Sequence, residues 1–199
     1  MSVQYFSPKW FYHDSLDDNS IGNIDKLFSS YINDSNNFES PENWQCKVKS
    51  SLYLDNNQDH IWVDWFNIIE PFLVKFINDV YPIKEINIYP TEIWVNKYNN
   101  GDYQEYHDHC DRNSNLSMVY FHKLNPDDGC QFQFYNDLHP MYKTNGLTDV
   151  FNLDGMGHSF IPNIKQGSII FFPSNYIHSV SLHTGTKTRI TFSANLNCI

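Results

Sequence analysis

The chain of 199 residues is short of cations: 13 Lys and Arg stand against 23 Asp and Glu, a formal net charge of −10. Nucleic-acid backbones are bound through clustered Lys and Arg. No such cluster occurs, so DNA and RNA are not expected partners. Cysteine is also scarce. Cys46, Cys110, Cys130 and Cys198 are scattered without a C-x-x-C pair, which argues against a zinc knuckle. No signal-peptide pattern is present, so a reducing, cytoplasmic setting is the expectation. Long apolar runs are missing too. The longest, 61–80, is interrupted by Asp64, Asn67, Glu70, Pro71 and Lys75, and a membrane span is not expected. Net charge bears on solubility more than on specificity, and the sequence assigns no oligomeric state.

What the chain has is aromatic and β-branched side chains, with 17% aromatic and 41% hydrophobic content, enough to fill a core. Val3, Tyr5, Phe6, Trp10, Phe11 and Tyr12 suggest an extended segment laid against the domain. Ile21, Ile24, Leu27, Phe28, Tyr31 and Ile32 recur at helical spacing. Residues 33–44 are polar and suggest a surface loop. Residues 59–80 carry a broad apolar face through Trp62, Trp65, Ile69, Leu73 and Phe76, with Pro71 expected to kink or split the helix.

After Pro82 the pattern changes to short runs over 86–98, 103–109, 116–124, 130–135, 168–172, 177–183 and 188–196, separated by turn residues. This predicts a mainly β fold with flanking helices, a jelly roll or sandwich with an N-terminal helical buttress. The expected organisation is a single domain over 1–199, with supporting segments over 1–82 and a β core over 83–199. The insertion 136–163 has the length of a lid or substrate-binding loop.

His109-x-Asp111 places an imidazole and a carboxylate two residues apart, on one face if the segment is a strand. His178 is the best candidate for a third ligand. Two histidines and a carboxylate form the facial triad of non-haem Fe(II) oxygenases. His107 shares the parity of 109 and 111, so His107-x-His109 is an alternative gripping pair, with Asp111 outside the site. If Gly185-Thr186 forms a hairpin turn, His178 and Arg189 fall on one face of a two-stranded ladder. Arg189 can then pair with one carboxylate of a dicarboxylate whose other end chelates the metal. Thr191 adds a hydroxyl on the same face.

This set, His109-x-Asp111, His178 and Arg189-x-Thr191, resembles the Fe(II)/2-oxoglutarate-dependent oxygenase superfamily, in its prolyl-4-hydroxylase-like branch. Further features carry the resemblance: Tyr98 and Gly101 ahead of the motif, Tyr106 three residues before His109, and the strand Ser117-Met118-Val119-Tyr120-Phe121. The run 167–180 and the closing strand 189–195 complete it. It covers about 92–195 and implies a double-stranded β-helix (a cupin-like jelly roll). It implies Fe(II) on His109, Asp111 and His178, which form the catalytic centre. It also implies 2-oxoglutarate on Arg189 with Thr191, Tyr98 and Tyr120. O2 is the oxidant, and ascorbate is an accessory reductant that such enzymes can take. Hydroxylation of an unactivated C–H bond follows, with peptidyl proline, another peptide group or a small molecule as substrate. Phe121 departs from the family, which often has a second tyrosine there to touch the 2-oxoglutarate carboxylate. Two other readings stay open. One is a cupin-like metalloenzyme that does not use 2-oxoglutarate, and the other is a non-catalytic jelly-roll binding module.

Overall fold

The structure, a computed structural model, describes residues 9–54, 59–80, 85–151 and 156–199. Val3, Tyr5, Phe6 and Pro82, and part of the 136–163 insertion, lie outside these residues. In chain order the elements begin with β1 (Tyr12–Ser15), α1 (Asp18–Asn33), β2 (Lys49–Ser50), α2 (Asp59–Val80), β3 (Ile88–Tyr98), β4 (Gln104–His107) and β5 (Leu116–Lys123). There follow β6 (Phe132–Tyr135), α3 (His139–Thr144), α4 (Leu147–Val150), β7 (Ser159–Phe160), β8 (Ser168–Pro173), β9 (His178–Val180) and β10 (Arg189–Cys198).

The strands form a six-stranded sheet, β1-β8-β5-β10-β3-β2, and a four-stranded sheet, β4-β9-β6-β7. Every pairing is antiparallel. This is the double-stranded β-helix with helices outside. The N-terminal segment does more than lie against the fold: β1 pairs with β8, and β2 pairs with β3.

The period-two rule for strands explains the layering. Along β10, Ile190, Phe192, Ala194 and Leu196 point to the helices. They join Tyr120 and Phe171 against Phe28, Trp65 and Phe76. Arg189, Thr191, Ser193 and Asn195 point the other way, toward the small sheet, and are buried as well. A polar row on an antiparallel strand ordinarily faces water; here it lines an interior pocket. Beneath that pocket a second apolar cluster, with Phe121, Phe132, Phe134, Ile170 and Phe172, joins the sheets.

α1 begins at Asp17, whose side chain accepts from the Ser20 amide, and buries Ile24, Phe28, Tyr31 and Ile32. Pro71 does not split α2, which runs unbroken over 22 residues. Both Pro71 and Asn67, whose carbonyl lacks an amide partner four residues on, are exposed, so water can satisfy that carbonyl. Among the described residues no helix is long and apolar enough to cross a membrane.

A further feature differs from the sequence expectation. The 178–183 and 188–196 runs do not form a hairpin: β9 pairs with β4 and β6, whereas β10 pairs with β3 and β5. The connection between them crosses from one sheet to the other. It is tied to the β3–β4 turn by His183 N–H on Asp102 O (2.7 Å) and Gly101 N–H on His183 O (2.8 Å). In the insertion, α3 and α4 bury no side chain, and Leu138, Met141, Val150, Phe151, Phe160 and Ile161 are exposed.

Candidate active site

β4 and β9 run antiparallel with His107 opposite His178. His109 follows β4 by two residues, and its N–H donates to Ser174 O at 2.9 Å, which holds the segment against the turn preceding β9. The outcome is a cluster of His107, His109 and His178 whose potential ligand atoms all lie within 4.8 Å of one another. Nδ1 of His107 is 2.8 Å from Glu105 O, and Nδ1 of His178 is 2.8 Å from Tyr176 O. A backbone carbonyl there holds the proton on Nδ1 and leaves Nε2 free to ligate.

Burial lowers the pKa of all three rings, that of His109 to about 4 and that of His178 well below the usual histidine value. Neighbouring rings add to this: His107 lowers the titration of His109, and both lower that of His178. Phe132 and Phe172 flank His178 at 5.3 and 5.1 Å between ring centroids, which accounts for its desolvation. The imidazoles are therefore neutral at pH 7, as metal ligation requires.

Asp111 stands outside this cluster. β4 ends at His107, so the same-face rule for residues two apart does not extend to 109 and 111. The chain turns at Arg112 and Asn113. The exposed Asp111 carboxylate accepts from Asn113 N–H at 2.6 Å, a local turn contact. The triad that forms is the one with His107 in the place expected for Asp111.

Arg189 reaches the same pocket from the facing sheet. It is 2% exposed and lies opposite Tyr98 in the register. Its guanidinium sits 4.8 Å from the Tyr98 ring and 5.6 Å from the Phe121 ring, and Nη1 is 3.3 Å from Cys130 Sγ. Its Nε and Nη2 have no hydrogen-bond partner among the described residues. Thr191 and Tyr98 line the pocket as expected. The Tyr98 hydroxyl donates to Gln104 Oε1 at 2.6 Å, and burial raises its pKa.

Tyr120 does not line the pocket. The same parity that puts Phe121 inside turns Tyr120 to the helix side, with its ring 5.9 Å from Phe192 and its hydroxyl 3.3 Å from His122 Nδ1. Asn195, which lines the pocket, and Cys130, which touches the Arg189 guanidinium, were missed. Asn195 shares the parity of Arg189 and Thr191 and could have been found on that ground. Cys130 carries no sequence signal, because its place depends on how the two sheets face.

Two facing antiparallel sheets with a histidine triad between them define a double-stranded β-helix metalloprotein. The sequence comparison narrows the class. Residues 92–195, more than half of the chain, match the family described as "Putative 2OG-Fe(II) oxygenase". The chain belongs to this family and is an oxidoreductase whose metal and co-substrates are Fe(II), 2-oxoglutarate and O2.

Solved structures agree in fold. A Pseudomonas putida prolyl-4-hydroxylase is 12% identical with a TM-score of 0.62, covering 95% of this chain and 92% of its own. A Trichoplax adhaerens prolyl hydroxylase, solved with a hypoxia-inducible-factor peptide fragment, is 13% identical with a TM-score of 0.64, covering 94% and 83%. HygX from Streptomyces hygroscopicus, solved with nickel and 2-oxoglutarate bound, is 8% identical with a TM-score of 0.58, covering 95% and 83%. No curated protein matches the chain by sequence.

Proposed function

We propose that the chain is a C–H hydroxylase in which His107, His109 and His178 hold the iron and Arg189 holds the distal carboxylate of 2-oxoglutarate. The observation that carries this reading is the buried guanidinium of Arg189, whose Nε and Nη2 have no partner among the described residues, in the pocket that the three histidines line. A buried cation without a counter-charge is costly, and a carboxylate supplied by a ligand removes that cost. Arg189 offers two unused donors to it, and the Thr191 hydroxyl stands beside it on the same face. Phe121 and Tyr98 cover the guanidinium and keep water from it. The neutral imidazoles supply three nitrogen ligands and leave further coordination positions open. When bound, the iron and 2-oxoglutarate supply the oxidation, coupling decarboxylation of the co-substrate to oxygen transfer to the substrate.

The prime substrate is a peptide or a small molecule. The likeness of fold to prolyl hydroxylases makes a peptidyl prolyl residue the first to assay. The test is anaerobic addition of Fe(II) and then 2-oxoglutarate to the metal-free chain. The expected result is a weak visible metal-to-ligand charge-transfer band that His178→Ala abolishes and Arg189→Met weakens. Iron binding without the band would favour a cupin-like enzyme that does not use 2-oxoglutarate. An absence of iron binding would leave a binding module.

A further inference from the structure

Besides Arg189, three buried side chains of the pocket, Trp94, Asn96 and Asn195, keep a polar atom without a partner among the described residues. Asn96 stands opposite Thr191, at the end assigned to 2-oxoglutarate, which leaves Trp94 and Asn195. Trp94, 3% exposed on β3, packs its ring 5.4 Å from that of His109, and its Nε1–H has no acceptor among the described residues. Asn195, 4% exposed on β10, donates from Nδ2 to Glu92 Oε2 at 2.7 Å. The carboxylate fixes the orientation of that amide, since only its NH2 end can serve Glu92. Asn195 Oδ1 is left as the remaining polar atom and has no donor among the described residues. Both residues line the pocket.

2-Oxoglutarate at neutral pH carries only acceptors. It can serve Arg189, but it cannot serve Asn195 Oδ1. Trp94 stands opposite Ser193 in the register, so Asn195 is its diagonal neighbour, on the order of 7 Å away at the backbone. Trp94 and Asn195 thus offer a donor and an acceptor side by side and beside a metal ligand.

We propose that Trp94 and Asn195 form the prime-substrate subsite and that they read an amide group. Trp94 Nε1 donates to the amide oxygen, and Asn195 Oδ1 accepts from the amide N–H. This deepens the preceding reading and rests on it. The recognised group must carry an N–H, so in a peptide it can be any bond except X–Pro, whose nitrogen has no hydrogen. A substrate without an amide, such as an ester, leaves Asn195 Oδ1 buried and unsatisfied. Sites built around a hydrogen bond discriminate strongly for that reason.

The test uses the full chain loaded with Zn(II) in place of iron and saturated with 2-oxoglutarate. The probes are N-acetyl amino-acid N-methylamides and the matching methyl esters, with binding followed by ligand-observed NMR. Binding of 2-oxoglutarate is measured first, so a failure of the co-substrate reading shows separately. The N-methylamides are expected to bind at least tenfold tighter than the esters. Asn195→Leu should bring the ratio to within twofold, and Trp94→Phe should weaken both probes alike, each with unchanged 2-oxoglutarate affinity. Glu92→Gln, outside the pocket, frees the Asn195 amide to turn over and should also lower the ratio, which keeps the test open if Asn195→Leu does not fold. Equal binding of amides and esters, no binding of either, or a ratio that survives both Asn195→Leu and Glu92→Gln would overturn the proposal.

Discussion

His107 and His178 face each other as a cross-strand pair of the small sheet, with ring centroids 4.3 Å apart. Antiparallel pairing alone sets that relationship, and it makes His107 a ligand candidate on geometric grounds. His109 completes the set from the loop, 5.0 and 5.2 Å from the two rings.

The first prediction separates His107 from Asp111. His107→Ala should weaken Co(II) or Zn(II) binding by more than the 10- to 100-fold loss typical when a ligand's outer partner is removed, about 100-fold or more. Asp111→Ala should change it by less than about threefold, because the Asp111 carboxylate serves a local turn. Competition titration with a chromophoric chelator measures both. A loss at Asp111 with retention at His107 would restore the His-x-Asp pair.

Arg189 supports a prediction with opposite signs in two states. Without co-substrate its guanidinium is buried with Nε and Nη2 unpartnered among the described residues, so Arg189→Met should stabilise the apoprotein by about 1–3 kcal/mol. With 2-oxoglutarate at one hundred times its Kd, the wild type should gain about 2.7 kcal/mol by linkage, and the variant should gain almost nothing. Thermal unfolding with and without 2-oxoglutarate reads both. An apoprotein that Arg189→Met destabilises by several kcal/mol would mean that the guanidinium has a structural partner.

These two residues also show how far the sequence could be read. The β-rich core, the α1 and α2 helices and the gathering of His109, His178 and Arg189 around one pocket were all legible, because period-two patterning and residue chemistry are local. Asp111 falls outside the histidine cluster because the sequence reading let the strand continue to residue 111, whereas β4 ends at His107. The hairpin failed for a related reason. A turn-like Gly185 sits between two β-runs, but β9 is a three-residue strand with both edges already taken by β4 and β6. Tyr120 followed from a family motif, while its parity with Met118 and His122 put it on the helix side. Strand ends and sheet membership depend on tertiary pairing, and a local pattern does not carry them.

His122 gives the pH prediction. It is 1% exposed under α1, with Nε2 3.2 Å from Asp25 Oδ1, and burial lowers its pKa to about 4. The unfolded chain titrates this group near 6.5. Between these values the unfolded state binds more protons, so stability rises with pH. The stability is whole above about pH 6.5, falls as pH drops toward 4 and then levels. His122→Leu should remove about 2–3 kcal/mol of that fall. The metal-free triad contributes in the same direction, so the quantity to measure is the difference between wild-type and variant urea midpoints across pH 4–7. Identical slopes would show that His122 titrates alike in the folded and unfolded chain.

Gly167 ties the helical layer to the sheet, and its replacement tests that junction apart from the site. Its φ is +88°, its N–H donates to Phe121 O at 2.8 Å, and its carbonyl accepts from Leu16 N–H at 2.9 Å, just before α1 begins. A Cβ at this position would meet Ile21 Cδ1 at 2.8 Å. Gly167→Ala therefore carries two costs: the left-handed backbone, about 1 kcal/mol, and the displacement of a side chain packed against the core, about 1–2 kcal/mol. Placing the same change in an Ile21→Ala background removes the second cost and keeps the first, so the cycle should show a coupling of about 1–2 kcal/mol by urea unfolding. Neither change touches the pocket, so metal and 2-oxoglutarate affinities should stay within about twofold of wild type under conditions where each variant is folded. A coupling near zero would mean that Ile21 turns aside freely and that the backbone conformation alone makes glycine necessary at 167.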